Sequence, residues 1–205
     1  MNSQELKSMI EEMITDNTYE KENPEINELN VFSVSTLSYD WVEQVKKKFY
    51  HQTTHPPNQA DMSMFYGKAA HEWIQARFIR KGWIAEKKIV NELRTEPITI
   101  NGKTYDTIKI IGHVDLFDPI NKVVIEIKTT STRHEIMPYH IIQAGYYAYE
   151  LSSTAFVVLL NHSRVIVQEL NDLDIVNAKV EIEKRANLAW KQILTNLRLW
   201  SGDNA

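Results

Sequence analysis

Gly112-His113-Val114-Asp115 and, a short turn later, Val124-Ile125-Glu126-Ile127-Lys128-Thr129-Thr130 decide the fold. Ile108 and Ile110 lead into the first piece with strand alternation, Asp118-Pro119-Ile120-Asn121 has turn chemistry, and the second piece resumes a β-branched run. The stretch reads as a β-hairpin. Side chains alternate along a strand, so Val123, Ile125 and Ile127 point one way while Glu126 and Lys128 point the other, roughly 7 Å apart. A symmetric turn with Asp118 opposite Asn121 puts Asp115 opposite Val124, on the Glu126 face. Diagonal neighbours in such a ladder lie about 7–8 Å apart at Cα, within reach of one shared divalent cation.

Two carboxylates and an ammonium on a half-buried sheet are costly unless they are paired or bound to a metal. Mg²⁺ and Mn²⁺ take oxygen ligands and keep several waters, which suits polarising a phosphate and generating hydroxide, with Lys128 placed to stabilise developing charge. The plainer reading is a surface ion pair between Glu126 and Lys128, and so short a motif does not by itself separate the two.

The 205 residues suit one domain with a real core. We divide it into an N-terminal helix and loop (1–30), a core (31–170) and a C-terminal helix (171–205). No apolar run reaches membrane-spanning length, and Met1-Asn2-Ser3-Gln4-Glu5 lacks a signal peptide's basic and apolar regions, so the expectation is a cytoplasmic protein with no membrane association. With no cysteine, disulfides, thiolate zinc sites, iron–sulfur clusters and a cysteine nucleophile are excluded. Lys and Arg number 23 against 27 Asp and Glu, a net charge of −4, so any nucleic-acid contact must come from local patches.

Leu6, Met9, Ile10, Met13 and Ile14 recur at helical spacing, and a polar stretch through Asn30 follows. A helix is predicted over Tyr39–Tyr50, carrying the densest basic cluster, Lys46-Lys47-Lys48, which on its own is an ordinary solvated face. Pro56-Pro57 marks a loop. Asp61–Lys81 reads as a helix capped near Asp61 or Ser63, with Met64, Phe65, Ala69, Trp73, Ile74 and Phe78 on apolar faces and Gly67 one turn before His71, leaving room beside it. Strands are predicted over 83–93, 97–100 and 105–117, with Asn101-Gly102 as a hairpin turn. A helix over 137–151 sets Gln143 and Tyr147 one turn apart, where they could hold phosphate, base or a supporting bond. A last hairpin (155–160 and 164–169) and an amphipathic helix (173–200) complete the chain.

Gly67-x3-His71, Gly112-x2-Asp115, Glu126-Ile127-Lys128-Thr129 and Gln143-x3-Tyr147, in that order, resemble the RecB-family nucleases of the PD-(D/E)XK superfamily, Cas4-like proteins in particular, over about residues 30–170. The resemblance implies an α/β restriction-endonuclease-like core, a mixed β-sheet flanked by helices. It implies His71, Asp115, Glu126 and the Ile127 carbonyl as ligands of Mg²⁺ or Mn²⁺, and Asp115, Glu126 and Lys128 as the catalytic set. DNA contacts would come from Gln143, Tyr147, Lys46, Lys47, Lys48 and Arg133. Asp40-Trp41 stands where Cas4 proteins carry a cluster cysteine, so the likeness is to compact, cluster-free relatives, some of them encoded by archaeal viruses. The activity so implied is a metal-dependent DNA exonuclease preferring single strands or free ends, with Tyr139, Tyr146 and Tyr147 as a stacking surface. A structure-specific endonuclease, a catalytically silent DNA-binding module and a homo-oligomer remain open.

Overall fold

The computed structural model describes residues 28–50, 62–130, 135–161 and 164–200. The predicted N-terminal helix, the Pro56-Pro57 loop, the Asp61 cap and Arg133 lie outside these residues. The described chain runs β1 (Val31–Ser33), α1 (Val34–Tyr39), α2 (Trp41–Tyr50), α3 (Met62–Ile79), β2 (Ile84–Ile100), β3 (Lys103–Asp118), β4 (Val123–Thr130), α4 (Pro138–Leu151), β5 (Thr154–Asn161), β6 (Arg164–Glu169) and α5 (Asp172–Trp200). Among these residues no helix is long and apolar enough to cross a membrane.

One mixed sheet of six strands organises them, in the order β1-β3-β4-β5-β6, with β2 paired along the other edge of β3. β2 and β3 form a long antiparallel hairpin closed by Asn101 (φ 50°) and Gly102 (φ 78°), two left-handed residues in succession, the geometry the Asn-Gly pair predicts. The two strands expected at 83–93 and 97–100 are one, interrupted by a register shift between Arg94 and Ile98 at Pro97, which has no N–H to give the ladder. β4 and β5 run parallel, joined through α4, the kind of crossover a parallel pair requires.

The opposite edge of β3 is shared. β1 pairs in parallel with residues 109–111, and β4 pairs antiparallel with residues 116–118. Between them, Gly112-His113-Val114-Asp115 pairs with neither β1 nor β4, so this stretch borders a notch in the sheet.

The helix predicted over residues 39–50 begins at Trp41 as α2, and a short helix that the spacing did not mark, α1, precedes it. The Ser33 hydroxyl accepts from Thr36 N and opens α1 early, and Asp40, extended between the helices, accepts from Val42 N through Oδ1 at 2.9 Å. α4 and α5 close over the sheet on Ala144, Tyr146, Ala148, Ala178, Ile182, Ala186 and Ile193. A Cβ on Gly145 would stand 2.7 Å from Ala178 Cβ, so glycine there sets the spacing of the two helices. Trp73, expected on an apolar face of α3, is instead 59% exposed, and the Arg77 guanidinium lies over its ring at 3.3 Å.

Candidate active site

The turn between β3 and β4 sets the register of the two carboxylates. Asp118 Oδ1 accepts from Ile120 N and Asn121 N, Oδ2 accepts from the Asn121 amide, and Lys122 closes the turn in the left-handed conformation (φ 55°). Asp118 therefore opposes Val123 rather than Asn121, and the ladder is displaced by two residues from the symmetric turn predicted. A displacement of two preserves the face and brings Asp115 level with Glu126 instead of diagonal to it. Paired backbone ends at Leu116 and Ile125, and the Asp115 carboxylate takes over, Oδ2 accepting from Ile127 N at 2.6 Å.

Glu126 is 1% exposed, which excludes the surface-pair reading. Its Oε1 accepts from Lys128 Nζ at 2.7 Å, while Oε2 is buried with no hydrogen-bond partner. Lys128 also donates to Gln143 Oε1 at 3.0 Å, and Gln143 donates to the Tyr147 hydroxyl at 3.3 Å. The motifs on β4 and α4 thus form one chain of contacts. It ends at the notch, because a Cβ on Gly112 would lie 2.5 Å from the Tyr147 ring.

His71 reaches the site from α3, which packs on β2, β3 and β4. Its Nδ1 stands 3.7 Å from Asp115 Oδ1, beyond hydrogen-bond range. Gly67 does not make room beside His71 as expected. The Thr129 hydroxyl of β4 fills that space, 2.6 Å from where a Cβ would stand.

Burial, and then the neighbouring Asp115, push the Glu126 carboxyl up to about 8 against the opposing pull of Lys128. Burial likewise pushes Asp115 up to about 6, moderated by Lys128 and the Ile127 N–H. Burial alone would lower Lys128, but Glu126 and Asp115 outweigh it and hold the ammonium above its ordinary value. Desolvation lowers His71, keeping the imidazole neutral and able to act as a ligand.

A divalent cation fits these residues on one observation above others, the buried and unpartnered Glu126 Oε2 beside a second carboxylate. Among the described residues no three His, Asp or Glu side chains enclose an ion as they stand. An open oxygen-rich set suits a cation that keeps its own waters.

Several expected DNA contacts are placed otherwise. Tyr146 and Tyr147 are buried at 0% and 1% exposure and offer no ring face for stacking; Tyr147 supports Gln143 instead. Lys48 donates to the Glu28 carbonyl and lies 5.5 Å from the centre of the Phe32 ring, its pKa lowered to about 8 by burial, so its ammonium is engaged within the fold. Lys46 is exposed on α2, and the side chain of Lys47 is outside the described set. The aromatic surface missed in sequence is Tyr39, 67% exposed, packed edge-on against Tyr139 with ring centres 5.1 Å apart. Also missed were Gln75, one turn beyond His71, and Glu86 across from Asp115 on β2. Only the β2 register brings Glu86 to the site, and no local motif marks it.

No protein-family profile matches the chain, and no curated protein does. Solved structures do. SSO0001 shares 20% identity at a TM-score of 0.65, covering 89% of this chain and 86% of that one. The alkaline exonuclease LHK-Exo from Laribacter hongkongensis shares 15% at 0.53, covering 84% and 94%. LHK-Exo in complex with dAMP gives 15% at 0.52, covering 86% and 96%. The fold is thus the restriction-endonuclease-like α/β core, a mixed sheet flanked by helices, which alkaline exonucleases also adopt.

Proposed function

We propose that this chain is a metal-dependent DNA nuclease that shortens single strands from an end, a cluster-free relative of the RecB and Cas4-like enzymes. The observation that carries the proposal is the juxtaposition of Asp115 and Glu126 at the notch, where the buried Glu126 Oε2 lacks a partner and Lys128 sits on the other oxygen. Asp115, Glu126, His71 and the Ile127 carbonyl would hold Mg²⁺ or Mn²⁺. When bound, the cation supplies Lewis-acid activation of water and of the phosphodiester. Lys128, fixed between Glu126 and Gln143, keeps its charge and faces the negative charge that develops at phosphorus. Gln143 and Tyr147 hold that ammonium in place.

Preference for a single strand rests on the Tyr39–Tyr139 pair, because Tyr139 lies close enough to Lys128 to act on its charge and Tyr39 presents an open ring. Unpaired bases stack on such rings with little sequence preference, for about 1–3 kcal/mol each. LHK-Exo, an exonuclease crystallised with a deoxynucleotide, supports an exonucleolytic reading over an endonucleolytic one. The test is release of label from end-labelled DNA. Lys128→Met should bind Mn²⁺ like wild type yet cleave about 10²–10³-fold more slowly, as for loss of one group that stabilises transition-state charge. Cleavage by Lys128→Met at the wild-type rate would assign the lysine to structure alone.

A further inference from the structure

Gln75 lies one turn beyond His71 on the same face of α3 and is 9% exposed. Its amide donates twice, to Glu86 Oε1 at 2.7 Å and to the backbone carbonyl of Asp115 at 3.1 Å. One side chain on the His71 helix therefore grips the two strands that meet at Asp115.

The backbone of β2 is bent to meet that grip. Ala85 pairs with Leu116 and Lys87 with Val114, which sets Glu86 level with Asp115, yet the ladder passes over this pair and Glu86 takes a left-handed conformation (φ 50°). An L-residue in that region inside a strand is held there at a cost. The position lies inside β2 rather than at a turn, and the conformation accompanies the bond from Gln75. Glu86 is exposed, so its carboxylate is not retained for packing.

We infer that Gln75 and Glu86 are positioning residues for the proposed metal site. They fix α3 against Asp115, so that the His71 imidazole stands beside the carboxylate without bonding it. The inference rests on the metal-site reading above and adds two residues to it. In this role Glu86 acts as the hydrogen-bond acceptor of Gln75.

Isothermal titration with Mn²⁺ alone, without DNA, tests this. Gln75→Met keeps length and helix propensity but removes the donor, and should weaken Mn²⁺ binding about 10–100-fold, the usual loss when a group orienting a ligand is removed. Glu86→Gln keeps the acceptor and should bind within about twofold of wild type. Glu86→Gly removes the acceptor and releases the left-handed strain. It should weaken Mn²⁺ binding while leaving the thermal midpoint in chelator unchanged or higher. That divergence is the distinguishing readout, since a merely structural role would move affinity and stability together.

Wild-type affinity in Gln75→Met, or in Glu86→Gly should the buried substitution not fold, overturns the clamp. Loss of affinity in Glu86→Gln equal to that in Gln75→Met overturns the acceptor role and makes Glu86 a charge on the metal. Asp115→Asn and Glu126→Gln serve as references. If both bind Mn²⁺ like wild type, the parent reading fails; if both lose it while Gln75→Met keeps it, only the clamp fails.

Discussion

Glu126 is a residue whose charge the fold does not accommodate by itself. Its folded pKa of about 8 lies above the ordinary 4.5, so between those values the folded state binds more protons than the unfolded chain. Stability then falls as pH rises through that window, and Asp115 adds the same trend from 3.8 to about 6. His71, lowered below 6.5, acts in the opposite sense but carries only one charge against two carboxylates. In chelator the melting temperature should therefore decline from pH 5 to pH 8, and Mn²⁺ should flatten the decline; a midpoint that rises over this range contradicts the assignment. Glu126→Gln should lose most of that slope, keeping the part that belongs to Asp115, and remain folded, within about 1 kcal/mol of wild type at pH 7, or about 2–4 °C for a chain of this size. A cooperative melt displaced much further down would mean that the carboxylate is structural. Alternation along the strand was enough to place Asp115 and Glu126 on one face from sequence. Their separation was not legible, because it depends on Lys122 adopting a left-handed backbone that its side chain does not announce.

At the scale of elements, the site is an interruption. On the edge of β3 away from β2, β1 and β4 leave residues 112–115 without a strand neighbour, α4 fills part of the notch with the Tyr147 ring, and Asp115 bonds across the rest to Ile127. Gly112→Ala tests the filling directly. The added Cβ would meet the ring at 2.5 Å, with Val34 at 2.9 Å on the other side, and overpacking of this kind costs about 1–3 kcal/mol. A lower melting temperature with slower cleavage is expected, since displacing Tyr147 disturbs Gln143 and then Lys128. Unchanged values of both in differential scanning and label-release measurements would show that the notch tolerates a side chain. The helices and strands themselves were largely readable, because long periodic runs such as 173–200 and the Asn-Gly turn carry their own signals. What escaped were contacts between distant elements: Gln75 with β2 and β3, Lys48 with Glu28, and Tyr147 with Gly112. A motif at helical spacing states which residues share a face, but not whether that face meets solvent or core. Trp73 shows the error in one direction and Tyr147 in the other.

For the whole molecule, a net charge of −4 means that the proposed DNA substrate would be held by a few local groups, so binding should show a shallow salt dependence rather than the steep one of a broadly basic protein. Binding of a fluorescent oligonucleotide between 50 and 200 mM salt, with about 10³-fold or greater loss, would point to an extensive basic surface instead. The restriction-endonuclease-like core unites all the described elements around one sheet, and fold alone leaves the substrate open. The most direct measurement is digestion of an end-labelled linear single strand and a closed single-stranded circle, with Mn²⁺ or with excess chelator, by wild type and Glu126→Gln. Wild type should shorten the linear strand from an end only with Mn²⁺ and leave the circle intact, and Glu126→Gln should cleave neither substrate. Cleavage in excess chelator, or by Glu126→Gln at the wild-type rate, would contradict the proposal.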